Sequence, residues 1–195
     1  MNSEGVSIHS EGAERVPVAI LFQNRGGKIG YKALRGLREP VSVQFADLSG
    51  GIEPLRERLE SELIEMGLYR REARAMLETW GDSWFEEGMR VFYILPRATV
   101  DTLLPLSIEP APDQLARVFV GRVELLAPWM KQEIGGALAS GDVATLARYG
   151  RFLNAFMREM SGEGGEPALS DRARQFLQAA YAKVNAERQR ASCGQ

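Results

Sequence analysis

The stretch from Met89 to Pro96 constrains the fold more than any other part of the chain. It carries Val91-Phe92-Tyr93-Ile94-Leu95, so apolar side chains occupy both parities of an extended segment. Successive side chains of a strand point to opposite faces, and a strand that is apolar on both faces is covered on both. These residues therefore predict a central strand. Ala116 to Leu126, with Val118, Phe119, Val120, Val123, Leu125 and Leu126, predicts a second one.

Weaker strand signals come earlier. Val16 to Phe22 is a run of β-formers stopped by Asn24-Arg25-Gly26-Gly27, and Lys28 to Leu34 alternates, which together predict a hairpin. Val41, Val43 and Phe45 share one side of a third extended piece after Pro40. Helical spacing then takes over. Pro54 suits the first turn of a helix carrying Leu55, Leu59, Leu63 and Met66. Gly67 interrupts, and a second helix carries Ala73, Met76, Leu77, Trp80 and Trp84, with Gly88 as its closing glycine. Leu103-Leu104-Pro105-Leu106 and Pro110-Ala111-Pro112 predict a surface loop. Beyond Leu126, Pro128 opens one helix, and Asp142 caps another through Leu146, Tyr149, Leu153, Phe156 and Met160.

The expected architecture is α+β: a small mixed sheet of four to five strands, helices mainly on one face, and a helical C-terminal third. Residues 1–15 are expected to be a disordered tail and 16–160 a single domain. Residues 161–169 are expected to be a Gly-rich linker, and 170–190 an amphipathic helix suited to self-association or a protein partner.

Several function classes are disfavoured by composition. The net charge of −2 comes without a basic block, so no nucleic-acid footprint is expected. No run reaches the ~18 apolar residues that span a bilayer. The first 15 residues carry Glu4, Glu11 and Glu14 and no apolar run. As written the chain reads as cytoplasmic, or as the mature piece of an exported protein. The single histidine, His9, falls in the expected tail, and the single cysteine, Cys193, lies near the other end. A Ser-His-Asp or Cys-His device has no ordered parts to use, and a zinc site is disfavoured for the same reason. With no P-loop and no dinucleotide fingerprint, no cofactor is expected. Lysine is rare: only Lys28, Lys32, Lys131 and Lys183 among 24 basic residues. Arginine makes bidentate carboxylate and phosphate contacts that lysine does not.

Trp80 to Leu125 concentrates the chemistry. It reads Trp80-Gly81-Asp82-Ser83-Trp84-Phe85-Glu86-Glu87-Gly88-Met89-Arg90, then Pro96-Arg97, Leu104-Pro105-Leu106 and Arg117-Val118-Phe119-Val120-Gly121-Arg122-Val123-Glu124-Leu125. This pattern resembles an uncharacterised bacterial protein family, a domain of unknown function. The resemblance implies no activity and no catalytic residues, and it implies relatives that are often longer and exported.

Read as residues, Trp80 and Trp84 lie four apart on a helix and share a face, either packed on the sheet or forming a ligand-stacking shelf. Glu86 and Glu87 fall in the last helical turn, where the macrodipole disfavours negative charge. Arg90 emerges from the same strand face as Phe92 and Ile94, Arg122 and Glu124 share parity, and Arg97 and Asp101 flank a turn. Half-buried arginines need carboxylates, and Asp82, Glu86, Glu87, Asp101 and Glu124 are at hand. One reading is an ion-pair network pinning helix to sheet. Another is an anion or carbohydrate site lined by Arg and Trp. A third is a glycosidase-like acid pair, Asp82, Glu86 or Glu87 opposite Glu124. The overall expectation is a non-catalytic protein-interaction or assembly module, with a carboxylate hydrolase and a small-ligand binder as alternatives.

Overall fold

The computed structural model describes residues 4–12, 14–160, 175 and 178. The strands are β1 (Gly5–Ile8), β2 (Val16–Arg25), β3 (Lys28–Leu37), β4 (Val41–Gln44), β5 (Gly88–Ile94) and β6 (Val120–Leu125). The helices are α1 (Ile52–Glu65), α2 (Arg70–Trp84), α3 (Arg97–Leu103), α4 (Pro128–Ser140), α5 (Val143–Arg148) and α6 (Leu153–Met160). The fold is α+β, as its periodicities predict. The single domain expected over 16–160 divides into two compact units, Met1–Leu125 and Leu126–Gln195. The linker expected at 161–169 lies outside the described residues. So does the helix expected at 170–190, except Gln175 and Gln178, both helical.

In the first unit a four-stranded sheet runs in the order β3-β2-β5-β6, antiparallel throughout rather than mixed. β5 is an inner strand because apolar side chains on both of its faces find cover. β2 and β3 meet at a two-residue turn, Gly26 and Gly27, at φ 58° and 81°. Positive φ at both positions matches the twist of the flanking strands.

β4 joins a separate ribbon by pairing with β1, in which buried Val6 faces buried Val43. Residues 5–8 of the expected tail are therefore strand. Four residues are too few for a visible period, and only the partner strand reveals it.

One face of the sheet carries the core. Val18, Ile20 and Phe22 of β2 and Phe92 and Ile94 of β5 pack with Leu55, Leu59 and Leu63 of α1. From α2 come Ala73, Leu77 and Trp84, with Phe85 beyond the helix end. The rings of Phe22, Trp84, Phe85 and Phe92 tilt against one another, Trp84 and Phe92 at 5.7 Å between centroids. Each such side chain stabilises the fold by about 1.5–3 kcal/mol through burial.

Trp80 does not join this core. The buried stripe of α2 is Ala73, Leu77, Gly81 and Trp84. At 3.6 residues per turn Trp80 falls about 55° from the centre of that stripe. The indole is accordingly 52% exposed. Gly88 does not close α2 either; Phe85 is the C-cap and Gly88 begins β5.

On the opposite face Tyr93 of β5 lies across Gly121 of β6, its register partner. A Cβ at position 121 would run into the Tyr93 ring. Beside this ring an apolar cavity of about 350 Å³ opens between β1 and the sheet, lined by Ile8, Val91, Tyr93 and Val123 among others. His9, expected in a disordered tail, also lines it.

In the second unit Pro128 opens α4, and the Asp142 side chain accepts from the Thr145 N–H at 3.1 Å to cap α5. The single helix expected after Asp142 is broken at Gly150, where a 3-10 turn intervenes at φ 48°. Tyr149 and Phe156 meet edge-on across that break.

Gly121→Ala should cost about 1–3 kcal/mol, because the Tyr93 ring must leave its place. In urea unfolding, the same substitution in a Tyr93→Ala background should cost clearly less. Equal costs in both backgrounds would show that the ring is not what Gly121 accommodates.

Candidate functional site

Arg90 stands on β5 with Phe22 of β2 on one side and Glu124 of β6 on the other. Its side chain is wholly buried, with Cζ 5.4 Å from the centre of the Phe22 ring. Nε donates to Glu124 Oε2 at 3.0 Å. Nη1 donates to Trp84 O at 2.5 Å and Glu86 O at 3.0 Å, and Nη2 to Glu87 O at 2.9 Å. These carbonyls sit at and just beyond the end of α2. A helix leaves its last carbonyls without intrahelical donors, and its dipole is negative there. Arg90 answers both needs from the sheet. Burial pushes its guanidinium below the usual arginine range, opposed by Glu124.

Arg122 repeats the arrangement one strand further out. Its Nη1 donates to Ser83 O at 2.6 Å, its Nε to Glu124 Oε1 at 2.7 Å, and its Nη2 lies 3.2 Å from Glu86 Oε1. Glu124 therefore gives one oxygen to each arginine. Glu86 and Glu124 are bridged by a single guanidinium.

Glu86 and Glu87 are not in a helical turn, because α2 ends at Trp84. The unfavourable dipole at this end is offset for Glu86 by Arg122. Glu87 accepts the Gly26 N–H on both oxygens, at 2.9 and 3.0 Å, and Asn24 Nδ2 donates to Phe85 O at 2.8 Å. The segment after α2 is thereby tied to the β2–β3 turn as well as to β5 and β6.

A second cluster is separate. Arg97 and Asp101, expected across a turn, lie four apart on α3, which begins after Pro96. Arg97 Nε donates to Asp101 Oδ2 at 2.7 Å, and Arg117 Nη1 to Asp101 Oδ1 at 2.8 Å. The same arginines donate to Leu115 O and Leu104 O, which fastens residues 104–119 to α3. The hydrogen bond from Arg97 is the first cause holding the Asp101 carboxyl below its usual range, with Arg117 adding to it.

The structure thus gathers Trp84, Glu86, Glu87, Arg90, Arg122 and Glu124, sets Arg97 and Asp101 in a cluster of their own, and leaves Trp80 and Asp82 exposed on α2. Sequence reading missed a third network. Glu62, fully buried, accepts from Arg35 on both oxygens, at 2.9 and 2.6 Å, and forms an ion pair with Arg58 at 2.7 Å. The signal was present: Glu62 falls seven residues after Leu55 and three after Leu59, on the apolar stripe of α1, with Arg58 one turn before it.

No family model, no curated protein and no solved structure matches the chain. Among the described residues no group of three or more His, Cys, Asp or Glu side chains is placed to hold a metal ion. Chemically, the gathered residues neutralise one another and satisfy backbone carbonyls.

Two outcomes test this arrangement. Arg90→Lys should lose about 3 kcal/mol in urea unfolding, since an ammonium cannot reach Glu124 and three carbonyls together. A loss within experimental error would mean that the fork is dispensable. Because the folded value of Asp101 is lowered, its stabilisation is present above the ordinary aspartate range, about pH 4, and is lost as pH falls through the folded value. The stability gap between the wild type and Asp101→Asn should therefore be full at neutral pH and close in acid.

Proposed function

We propose that this chain is a non-catalytic protein-interaction or assembly module. The observation that carries the reading is the position of Glu124, held between Arg90 and Arg122 while those guanidiniums close the end of α2. A catalytic acid pair needs a gap in which a substrate bond can lie. Here the gap between Glu86 and Glu124 is filled by Arg122. A small-ligand site built on Trp80, Trp84 and Arg90 is disfavoured likewise, since Trp84 and Arg90 are buried and only Trp80 is exposed.

A surface suited to a partner accompanies this scaffold. Leu103, Leu104, Leu106, Ile108 and Leu115 are exposed on and after α3. Exposed apolar side chains concentrated in one segment are what an interaction surface requires. The Arg97–Asp101–Arg117 cluster ties that segment to α3 through Leu104 O and Leu115 O.

Glu124→Gln should lose about 3 kcal/mol of stability, because a buried arginine loses its counter-charge. Leu104→Asp combined with Leu106→Asp should leave the urea midpoint unchanged and reduce any chemical cross-linking that the wild-type chain shows; equal cross-linking of both chains would remove residues 103–115 as the surface. Turnover of a chromogenic glycoside that vanishes in Glu86→Gln or Glu124→Gln, with the urea midpoint unmoved, would replace this reading with the hydrolase.

A further inference from the structure

The face of the sheet turned away from α1 and α2 has a middle row that is short of bulk. Ala19 of β2, Tyr93 of β5 and Gly121 of β6 are register partners across three strands. One large side chain therefore stands between two small ones. The Tyr93 ring lies over Gly121. Ala19, with only a methyl group, gives the cavity beneath β1 a floor without filling it, and Val6 and Ile8 supply the facing wall. Ser10, Val16 and Leu95 are walls both of this cavity and of a second concavity of about 410 Å³, which reaches Ala98 and Leu103 of α3. Through these shared walls the two adjoin.

Protein interiors are close-packed, and apolar pockets of about 300–1,000 Å³ with a few polar groups are where small molecules bind. The lining determines what this one accepts. Ile8, Val91, Leu95 and Val123 are aliphatic, so the body of the ligand is apolar. An apolar cavity of about 150 Å³ holds benzene, so one of about 350 Å³ has room for a chain of roughly ten carbons. The Tyr93 hydroxyl makes no hydrogen bond to any described residue, which leaves it able to donate to one polar atom of the ligand. In a chain so rich in arginine, no described Arg or Lys lines either concavity. The charges nearby are acids instead. Glu14 is a wall of the second concavity and accepts from the Thr99 O–H at 3.2 Å, and Glu11 lies 3.8 Å from His9. An anionic head would find like charge there and no counter-charge.

We propose that the cavity between β1 and the sheet binds a single alkyl chain of about ten carbons with an uncharged polar head, an alcohol or an ester, to which Tyr93 donates. The site is distinct from the arginine network. Val91, Tyr93 and Val123 share one strand parity, and Arg90, Arg122 and Glu124 share the other, so the two lie on opposite faces of the sheet. The proposal goes beyond the interaction-module reading and does not rest on it.

Calorimetric titration of the full-length chain with 1-decanol, 1-hexanol and decanoate tests this. Decanol should bind at least about tenfold more tightly than hexanol, because the longer chain takes more apolar surface out of water. Decanoate should bind at least about tenfold more weakly than decanol, because its charge has no partner in the cavity. Tyr93→Phe should weaken decanol binding several-fold. Val123→Trp, at a position 49% exposed on the rim, should block it with the circular dichroism spectrum unchanged. In the wild type, nuclear Overhauser contacts should join the decanol chain to the Val91 and Val123 methyl groups, which locates the ligand without any substitution. The proposal is overturned by a wild type that binds no decanol, by decanoate binding more tightly than decanol, or by undiminished binding in both variants. Contacts confined to the exposed leucines of residues 103–115 overturn it too. So do contacts from the Val91 methyls to residues 161–195, which would give the cavity to the chain's own C-terminal segment.

Discussion

The C-terminus of α2 ends against a sheet, and the interaction that makes this workable is the buried fork of Arg90. Several carbonyls at and past a helix end, taken out of water, each need a donor. Trp84, Glu86 and Glu87 find theirs in one guanidinium rooted on a neighbouring strand. The arrangement also sets an orientation. A planar fork that meets carbonyls on one side and Glu124 on another allows little rotation of α2 over the sheet. The aromatic cluster of Phe22, Trp84, Phe85 and Phe92 is assembled in the space that this orientation defines.

The same logic recurs at other arginines. Arg122 closes Ser83 O, Arg97 and Arg117 hold Leu115 O and Leu104 O, and Arg35 clasps Glu62 with both arms of its fork. In each case two or more acceptors in fixed directions are met by one side chain. A lysine delivers its charge at a point and lacks the directional fork. Buried ion pairs add little net stability, but removing one partner is costly because the other charge is left without a counter-charge. Networks of this kind specify how elements meet more than they strengthen the meeting.

Outside these networks the described residues present apolar side chains to solvent. Glu86, Asp101 and Glu124 are held by arginines, Glu87 by the Gly26 N–H, and Asp82 is exposed, while residues 103–115 present leucines and an isoleucine to solvent.

Much of the fold was legible in the residues. Both-face apolarity placed β5 inside the sheet, the Gly-Gly turn located the hairpin, and leucines at helical spacing marked α1 and α2. These signals are local, so periodicity within one segment suffices to read them. β1 was not legible because four residues have no usable period, and its only evidence is Val43 across the ribbon. Arg90, Arg122, Glu86 and Glu124 were recognisable as a set of charges wanting partners. Which one met which depended on where α2 stopped, one residue before Phe85, and on a register that seats Arg90 opposite Glu124. By itself the sequence determined the elements and the necessity of charge pairing. The tertiary structure alone decided that the arginines would close a helix end rather than line a cleft, because carbonyl directions exist only once helix and sheet are packed.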